Sequence, residues 1–416
     1  MVYALAATIG GLTFPRIEDR LLPHLLSSIS TGAAMVMYSS IASGMMALTG
    51  IVFSLAFVMV QFSATAYSPR LVLWVARDPV LSHALGVFFA TFLYAIAALS
   101  WLDRRGSGRV PFVSGWIVVG LLLASVCMFV ALIYRMRLLQ VSRMLLFTGR
   151  KGRDVIETLY EPLRSFSDGA QPEKHGRLLT QTVVHCGQPL SLQAVRVEEL
   201  VRLAVACGGY AEVVPAVGDT ILDGTPLMHI VGASHPVPEE QLRNTLELGE
   251  ERTFEQDPKY AIRLLVDIAI KALSPAINDP TTAVQALDQI GDLLLRLGKQ
   301  RLEIGSFHDQ TGQLRVLMPF PSWDDFLHLG FEEILSCGAR SVQVMRRMKA
   351  LVADLLSVLP PQRHPSLKYW QQRLEASIGR SFEDAEEKLS ASVEDRQGLG
   401  VTRSGSKNES SQAASR

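Results

Sequence analysis

The chain has 416 residues, in which 40 lysine and arginine residues balance 40 aspartate and glutamate residues. This neutral balance argues against a basic nucleic-acid-binding surface, and we expect no nucleic-acid partner. Four cysteines lie far apart and form no C-x-x-C pair, so neither a disulfide framework nor a cysteine zinc site is predicted. The apolar residues, 48% of the chain, are concentrated in its first third.

Residues 1–137 read as a transmembrane region. Residues 33–69 carry no charged side chain, and as a helix they would measure roughly 50 Å, more than one crossing requires. Three spans are predicted, near residues 41–63, 83–101 and 112–134. Residues 1–12 form a fourth, partial apolar stretch, which is either an incomplete helix or a real half-span.

Basic residues indicate the orientation of these spans. Arg135, Arg137 and Arg143 follow the third span, which predicts that the C-terminal domain is cytoplasmic. The loop 103–111 is also basic although it would face outward, a mild violation of the same rule. The lipid bilayer is therefore the first expected partner.

The predicted spans are small in number and lack acidic or basic side chains. Carriers that couple to protons or ions need ionisable groups at membrane depth, so that class is disfavoured. Ser39, Ser43 and Ala47 recur every four residues, as do Gly50 and Ser54, which allows close helix packing, either within the bundle or in a regulated contact. Three or four helices cannot enclose a pore alone, so a channel would require a homo-oligomer.

Beyond the membrane region we predict a basic juxtamembrane helix and linker at 138–176 and a small β module at 177–234. The segment GDTILDGTPL resembles the half-barrel hairpins of biotinyl and lipoyl carrier domains, which modify a lysine. No lysine occurs between His175 and Asp257, so the resemblance supports the fold and not the carrier function. His185 and Cys186 are adjacent on a predicted strand and point to opposite faces, which excludes a paired catalytic role.

Residues 235–390 are predicted to be mainly helical. They begin with a charged amphipathic helix at 239–252 and include a β-hairpin near 302–318. Residues 391–416 are predicted to be a disordered tail, because Gly398–Arg416 is rich in serine and glycine with no apolar pattern.

A polar corner joins two helices of this domain. Pro275 ends the first helix, Asp279 can cap the second, and Pro280 fits its first turn. The corner is either a structural joint or a site where polar side chains and free amides meet a small ligand of unknown identity. Its candidate residues are Ser274, Pro275, Asn278, Asp279, Pro280 and Thr281.

A second candidate set consists of charged residues on and before the first of these helices. Arg263, Asp267 and Lys271 are spaced four apart and can pair along one face. Such a face is either solvated or contacts a ligand or subunit. The full set of candidate helix-face contacts is Arg252, Asp257, Arg263, Asp267 and Lys271.

Several segments together resemble DUF2254, an uncharacterised family of bacterial membrane proteins. The segments are QFSATAYSPRLV, GDTILDGTPL, ERTFEQDP, ALSPAINDPTTA and TGQLRVLMP. The resemblance implies four N-terminal membrane helices, of which the first is shortened here, and a C-terminal cytoplasmic domain. It implies no activity, substrate or cofactor.

The expected fold is an α-helical membrane bundle followed by a cytoplasmic α+β domain that contains a small β half-barrel and a helical C-terminal part. We expect a homo-oligomeric channel-like or transport-related assembly with a sensing or gating domain. A membrane-anchored module that binds a small ligand or protein is the alternative, and a membrane-bound hydrolase is a third. We predict no catalytic, cofactor-binding or metal-binding residues, because no phosphate loop, H-E-x-x-H motif or nucleophile elbow occurs.

Overall fold

The computed structural model describes residues 2–21, 29–66, 79–105, 110–136, 141–163 and 178–400. The chain divides into two compact units, Met1–Arg143 and Met144–Arg416.

The described residues of the first unit form four helices: α1 (Val2–Leu21), α2 (Thr31–Ala66), α3 (Pro79–Arg105) and α4 (Phe112–Met136). Among the described residues, three segments are long and apolar enough to cross a membrane, Thr31–Val58, Pro79–Leu102 and Phe112–Tyr134. The first of them begins at Thr31, whereas the sequence placed the span near 41–63.

Helix α1 extends well beyond the partial span predicted at 1–12. Its 20 residues measure about 30 Å. It packs beside α3, where Tyr3 Oη lies 3.0 Å from His83 Nδ1. A Cβ atom at Gly11 would overlap the methyl group of Ala97, so this glycine permits the close approach of the two helices. Tyr38, Tyr94 and Val118 form part of the core between α2, α3 and α4.

The second unit begins with α5 (Val141–Leu159) and continues with eight short strands and several helices. The strands are β1 (Leu179–Val184), β2 (Leu190–Val195), β3 (Tyr210–Val213), β4 (Thr220–Ile221), β5 (Pro226–Val231), β6 (Leu246–Gly249), β7 (Ser306–His308) and β8 (Leu314–Leu317). The helices among and after them are α6 (Val197–Cys207), α7 (Glu239–Arg243), α8 (Pro258–Ala272), α9 (Pro280–Gly298), α10 (Trp323–Gly338), α11 (Val342–Val358), α12 (His364–Ser381) and α13 (Ala385–Ser392), with a 3₁₀ turn at Pro361–Arg363.

The strands form two small sheets, so this unit is of the α+β class. One sheet has the order β1-β5-β3-β8-β7 and the other β4-β2-β6. The β3–β8 pair is parallel, with Ala211 opposite Val316, and the other strand pairs are antiparallel.

Both sheets include strands from the segment that was predicted to be mainly helical. The hairpin expected near 302–318 is β7–β8 at the edge of the larger sheet. The helix expected over 239–252 is only five residues long and is followed by β6. Leu246 and Leu248 alternate along β6 toward the core against β2, and this packing outweighs the local helical pattern.

The remaining helices bury α8 and α9 in the centre of the unit, where Leu264, Leu265, Leu287 and Leu294 are inaccessible to solvent. The described structure continues to residue 400, past residue 391, where the predicted disordered tail begins. The Asp395 carboxylate accepts hydrogen bonds from the backbone amides of Gln397 and Gly400, and Arg396 pairs with Asp354. Residues 401–416 lie outside the described residues.

Candidate functional site

A buried ion pair lies at the start of α8, and it involves two of the predicted helix-face residues. The side chain of Asp257 is 1% exposed, and its Oδ2 accepts a hydrogen bond from Arg252 Nε at 2.9 Å. The other oxygen, Oδ1, accepts from the backbone amide of Tyr260 at 3.2 Å. Asp257 therefore caps α8 and neutralises Arg252 at the same time.

Two neighbours hold this pair in place. The Arg252 guanidinium lies 5.3 Å from the centre of the Tyr260 ring, a cation–π distance. Gly218, in the turn before β4, has φ +91°, and a Cβ atom there would overlap both members of the pair. The turn between β3 and β4 thus approaches Arg252 and Asp257 more closely than any residue with a side chain could.

Two buried hydroxyls belong to residues beside this pair: Tyr160 is close enough to feel the charge of Asp257, and Thr253 follows Arg252 in the chain. Tyr160 Oη and Thr253 Oγ1 have no hydrogen-bond partner within the described segments. Burial raises the pKa of Tyr160, and the negative charge of Asp257 raises it further. Burial also raises the pKa of Asp257, while the Arg252 guanidinium opposes this change. We call Tyr160, Gly218, Arg252, Thr253 and Asp257 the ionic cluster.

The ionic cluster combines perturbed titratable groups with unused hydrogen-bonding capacity, a combination that is enriched at functional sites. Sequence analysis identified Arg252 and Asp257 but missed Tyr160, Thr253 and Gly218. The segments GDTILDGTPL and ERTFEQDP carry Gly218 and Thr253, but no local pattern indicates that they meet. Their contact depends on the tertiary fold.

The polar corner between α8 and α9 is a well-formed and largely exposed joint. Asp279 accepts hydrogen bonds from the backbone amide of Thr282 at 3.1 Å and from its hydroxyl at 2.6 Å, so the predicted cap is present. The Ser274 hydroxyl donates to the carbonyl of Lys271 at 2.7 Å.

Asn278 is the one non-glycine residue with positive φ among the described residues, at +49°. Pro275, Asn278 and Thr281 are exposed, whereas Asp279 and Pro280 are half-buried. The side chains at the apex therefore face outward, and the two Asp279 oxygens are already engaged within the corner.

The charged face of α8 makes a contact that the sequence pattern did not specify. Arg263 pairs with Asp267 at 2.6 Å, as the four-residue spacing predicts, and it also pairs with Glu333 of α10. The hydrogen bond to Arg263 lowers the pKa of Glu333. Lys271 is half-buried on the same helix. This face connects two helices of the same unit.

A buried carboxylate in the first unit was not predicted to be important. Glu18 of α1 is 4% exposed and accepts hydrogen bonds from the backbone amides of Val113 at 2.6 Å and Ser114 at 2.9 Å. It therefore caps the N-terminus of α4 from another helix. Ser114 Oγ in turn lies 3.1 Å from Tyr94 Oη.

Metal and thiol sites require particular arrangements of the histidine, cysteine and acidic side chains in the described part of the chain. No group of three or more histidine, cysteine, aspartate or glutamate side chains there could hold a metal ion. His185 is buried, with Nε2 2.9 Å from the Gln188 carbonyl oxygen, whereas Cys186 is exposed.

Comparison with known proteins agrees with the membrane architecture. The model of a family described as "Predicted membrane protein (DUF2254)" matches residues 1–354. Uncharacterised proteins of Mycobacterium bovis and Mycobacterium tuberculosis are 28% identical to the chain over 386 residues, which cover 89% of this chain and 73% of each relative. No solved structure matches the chain.

Proposed function

Because the chain belongs to the DUF2254 family of predicted membrane proteins, we propose that it forms a homo-oligomeric, channel-like or transport-related assembly in the bacterial inner membrane. The second unit is its cytoplasmic sensing or gating domain. Three apolar helices long enough to cross a bilayer support the membrane part of this proposal.

The observation that carries the proposal is the two-faced character of α2. One face packs inside the first unit through Ala34, Tyr38, Met45 and Val52. The other face is exposed along its length and is mostly made of small residues. We call it the small-residue stripe; its members are Gly32, Val36, Ser39, Ser43, Ala47, Gly50 and Ser54.

These stripe residues recur at intervals of four and three, so they lie on one side of the helix. At about 100° per residue, the stripe is centred roughly 165° from the face that packs inside the first unit. Helix α2 thus has a second face that no helix among the described residues of the first unit covers.

Lipid-facing positions favour large apolar side chains, whereas glycine, alanine and serine are enriched where membrane helices contact each other. A Cβ atom added at Gly32 or Gly50 would meet no atom within 4 Å. The stripe therefore has room for a second helix, and we propose that it packs against another copy of the chain.

The absence of charged side chains in the candidate spans favours a passive pore over an ion-driven carrier. The three candidate spans contain no aspartate, glutamate, lysine or arginine. Carriers that are driven by ion binding need such groups, so we propose passive movement through a pore at the centre of the oligomer. Glu18 of α1 lies outside these spans, and its carboxylate accepts hydrogen bonds from two backbone amides at the N-terminus of α4.

Disulfide cross-linking in membranes tests the stripe. In a background with all four native cysteines replaced by alanine, Ser43→Cys is expected to give a covalent dimer on mild oxidation. Ile51→Cys and Phe53→Cys are matched controls, because both side chains are more than 60% exposed and lie on either side of the stripe. Equal cross-linking at the three positions, or none at position 43, would contradict the proposal.

A membrane-anchored binding module is the second candidate, favoured by the exposed apex of the corner. Ile277 is 40% exposed beside Asn278, an apolar side chain at an outward-facing turn. Such an apex fits a protein partner better than an enclosed small ligand. The two strands of GDTILDGTPL do not form the hairpin that the sequence predicted, because β4 pairs with β2 and β5 pairs with β1 and β3. We also propose that this segment belongs to a half-barrel element like those of biotinyl and lipoyl domains, supported by its glycine turns at Gly218 and Gly224.

We propose no enzymatic activity. The carboxylates with the clearest structural roles, Asp257 and Asp279, both accept hydrogen bonds from a helix N-terminus. A hydrolytic activity that survives purification and is lost on Asp257→Asn, with the fold retained, would overturn this part of the proposal.

A further inference from the structure

Helix α5 follows the last candidate span and has one buried and one exposed face. The buried face includes Met144, Thr148 and Ile156. Gly149 and Gly152 lie on it at positions where a Cβ atom would overlap side chains of α8 and α9, namely Gln289, Leu293 and Ala261. This close contact determines which side of α5 faces away from α8 and α9.

The exposed face changes character along the helix. In its first half it carries Arg143, Leu146 and Arg150, with Leu146 50% exposed, and Lys151 is half-buried beside them. In its second half the same face carries Asp154 and Glu157. We call Arg143, Leu146, Arg150 and Lys151 the basic face.

This order of charges is unfavourable for the helix itself. A helix is stabilised by acidic residues near its N-terminus and by basic residues near its C-terminus. The first turn of α5 has no acidic residue, and the last turn has no basic residue. A negatively charged surface outside the helix would compensate for the cations at its N-terminal end.

The chain supplies such a surface by connectivity. The third candidate span ends at Tyr134, and the segment 135–142 that leads to Arg143 covers at most about 30 Å when fully extended. Basic residues next to a span attract anionic lipids within a Debye length of the membrane surface, and an exposed leucine can enter the headgroup region.

We propose that the basic face binds the headgroups of anionic phospholipids and holds the N-terminal half of α5 at the membrane surface. The acidic second half of the same face remains in solvent. This inference rests on the chain being a membrane protein and does not depend on oligomer formation or on what is transported.

The test uses the full-length protein in lipid nanodiscs. With the native cysteines replaced by alanine, a polarity-sensitive fluorophore is attached at Leu146→Cys. We expect its emission to shift to the blue when phosphatidylglycerol replaces part of the phosphatidylcholine, and concentrated salt should reverse the shift. The control label, at Thr158→Cys, lies on an exposed part of α5 about 18 Å further along the axis and should not respond.

Charge variants make the test specific. Arg143→Gln, Arg150→Gln and Lys151→Gln together should abolish the shift at position 146. The matched variant changes three exposed arginines elsewhere, Arg202→Gln, Arg340→Gln and Arg380→Gln, which alters net charge equally and should keep the shift. No response of the 146 label to phosphatidylglycerol, an equal response at 158, or equal loss in both triple variants would overturn the proposal.

Discussion

Arg252 and Asp257 form an ion pair in which one carboxylate oxygen accepts a hydrogen bond from the guanidinium. The other carboxylate oxygen caps a helix. Arg252 Nε lies 2.9 Å from Asp257 Oδ2, and the Tyr260 amide lies 3.2 Å from Asp257 Oδ1. Gly218 approaches the pair without a side chain. The turn between β3 and β4, a loop and a helix of the second unit therefore meet at one carboxylate.

We expect Asp257→Ala to lower the free energy of unfolding of the second unit by about 3 kcal/mol. The change leaves Arg252 without its buried partner and removes the cap of α8. Urea unfolding of the detergent-solubilised protein, followed by tryptophan fluorescence, measures the loss. Asp354→Ala breaks the exposed pair with Arg396, whose side chain is 79% exposed, and should cost at most about 1 kcal/mol. Equal losses in the two variants would show that the buried pair has no special role.

Gly218 and Gly224 offer a comparison of backbone strain with steric overlap. Both have positive φ, +91° and +80°, but only a Cβ atom at Gly218 would meet neighbouring atoms. We expect Gly224→Ala to cost about 1–2 kcal/mol from the left-handed backbone alone. Gly218→Ala should cost clearly more, because the methyl group would also displace the Arg252–Asp257 pair. If thermal unfolding shows the same loss for both, the close approach at Gly218 is not important for stability.

Two ion pairs on α10 predict how stability changes with pH. The hydrogen bond from Arg373 lowers the pKa of Glu332, and the hydrogen bond from Arg263 lowers that of Glu333. A carboxyl with a lowered pKa stabilises the fold above its ordinary pKa of about 4.3, and this contribution is lost as the pH falls below it. The wild type should therefore lose melting temperature on acidification through this range.

The double variant Glu332→Gln and Glu333→Gln should show a flatter melting temperature profile below about pH 5. The matched control is Glu198→Gln with Glu250→Gln, two exposed positions with the same change in charge. The interpretation fails if the control flattens the profile as much as the α10 variant does.

Substitutions at the polar corner measure how much its backbone conformation and its helix cap contribute to stability. Asn278 has φ +49°, so Asn278→Gly should leave stability nearly unchanged, while Asn278→Ala should cost about 1 kcal/mol. Asp279→Ala should cost about 1 kcal/mol through loss of the α9 cap. Calorimetry of the purified variants gives these values. A large destabilisation by Asn278→Gly would mean that the asparagine side chain makes a contact beyond its own backbone.

Features that depend on local pattern could be predicted from the sequence. The apolar runs indicated the three candidate spans, and the Asp279–Pro280 pair indicated the start of α9, because both signals lie within one helix. The spacing of Arg263 and Asp267 likewise predicted their ion pair.

Features that depend on distant residues could not be predicted. Glu18 and Ser114 are 96 positions apart in the sequence but are hydrogen-bonded in the first unit. A single glutamate in a charged segment gives no indication of this contact. Strand β6 lies within the charged amphipathic helix that was predicted over 239–252, and only pairing with β2 selects the extended form. Tyr160 joins the ionic cluster through packing alone.

The most direct test of the proposed assembly is native mass spectrometry of the full chain released from mild detergent. We predict a species of more than one chain for the wild type and a shift toward the single chain for Gly50→Leu, which fills the small-residue stripe. Gly120→Leu on α4 is the control, since a Cβ atom there also meets nothing within 4 Å of its own chain. A wild-type protein that is a single chain under all mild conditions, or a Gly50→Leu variant that assembles as the wild type does, would contradict the account.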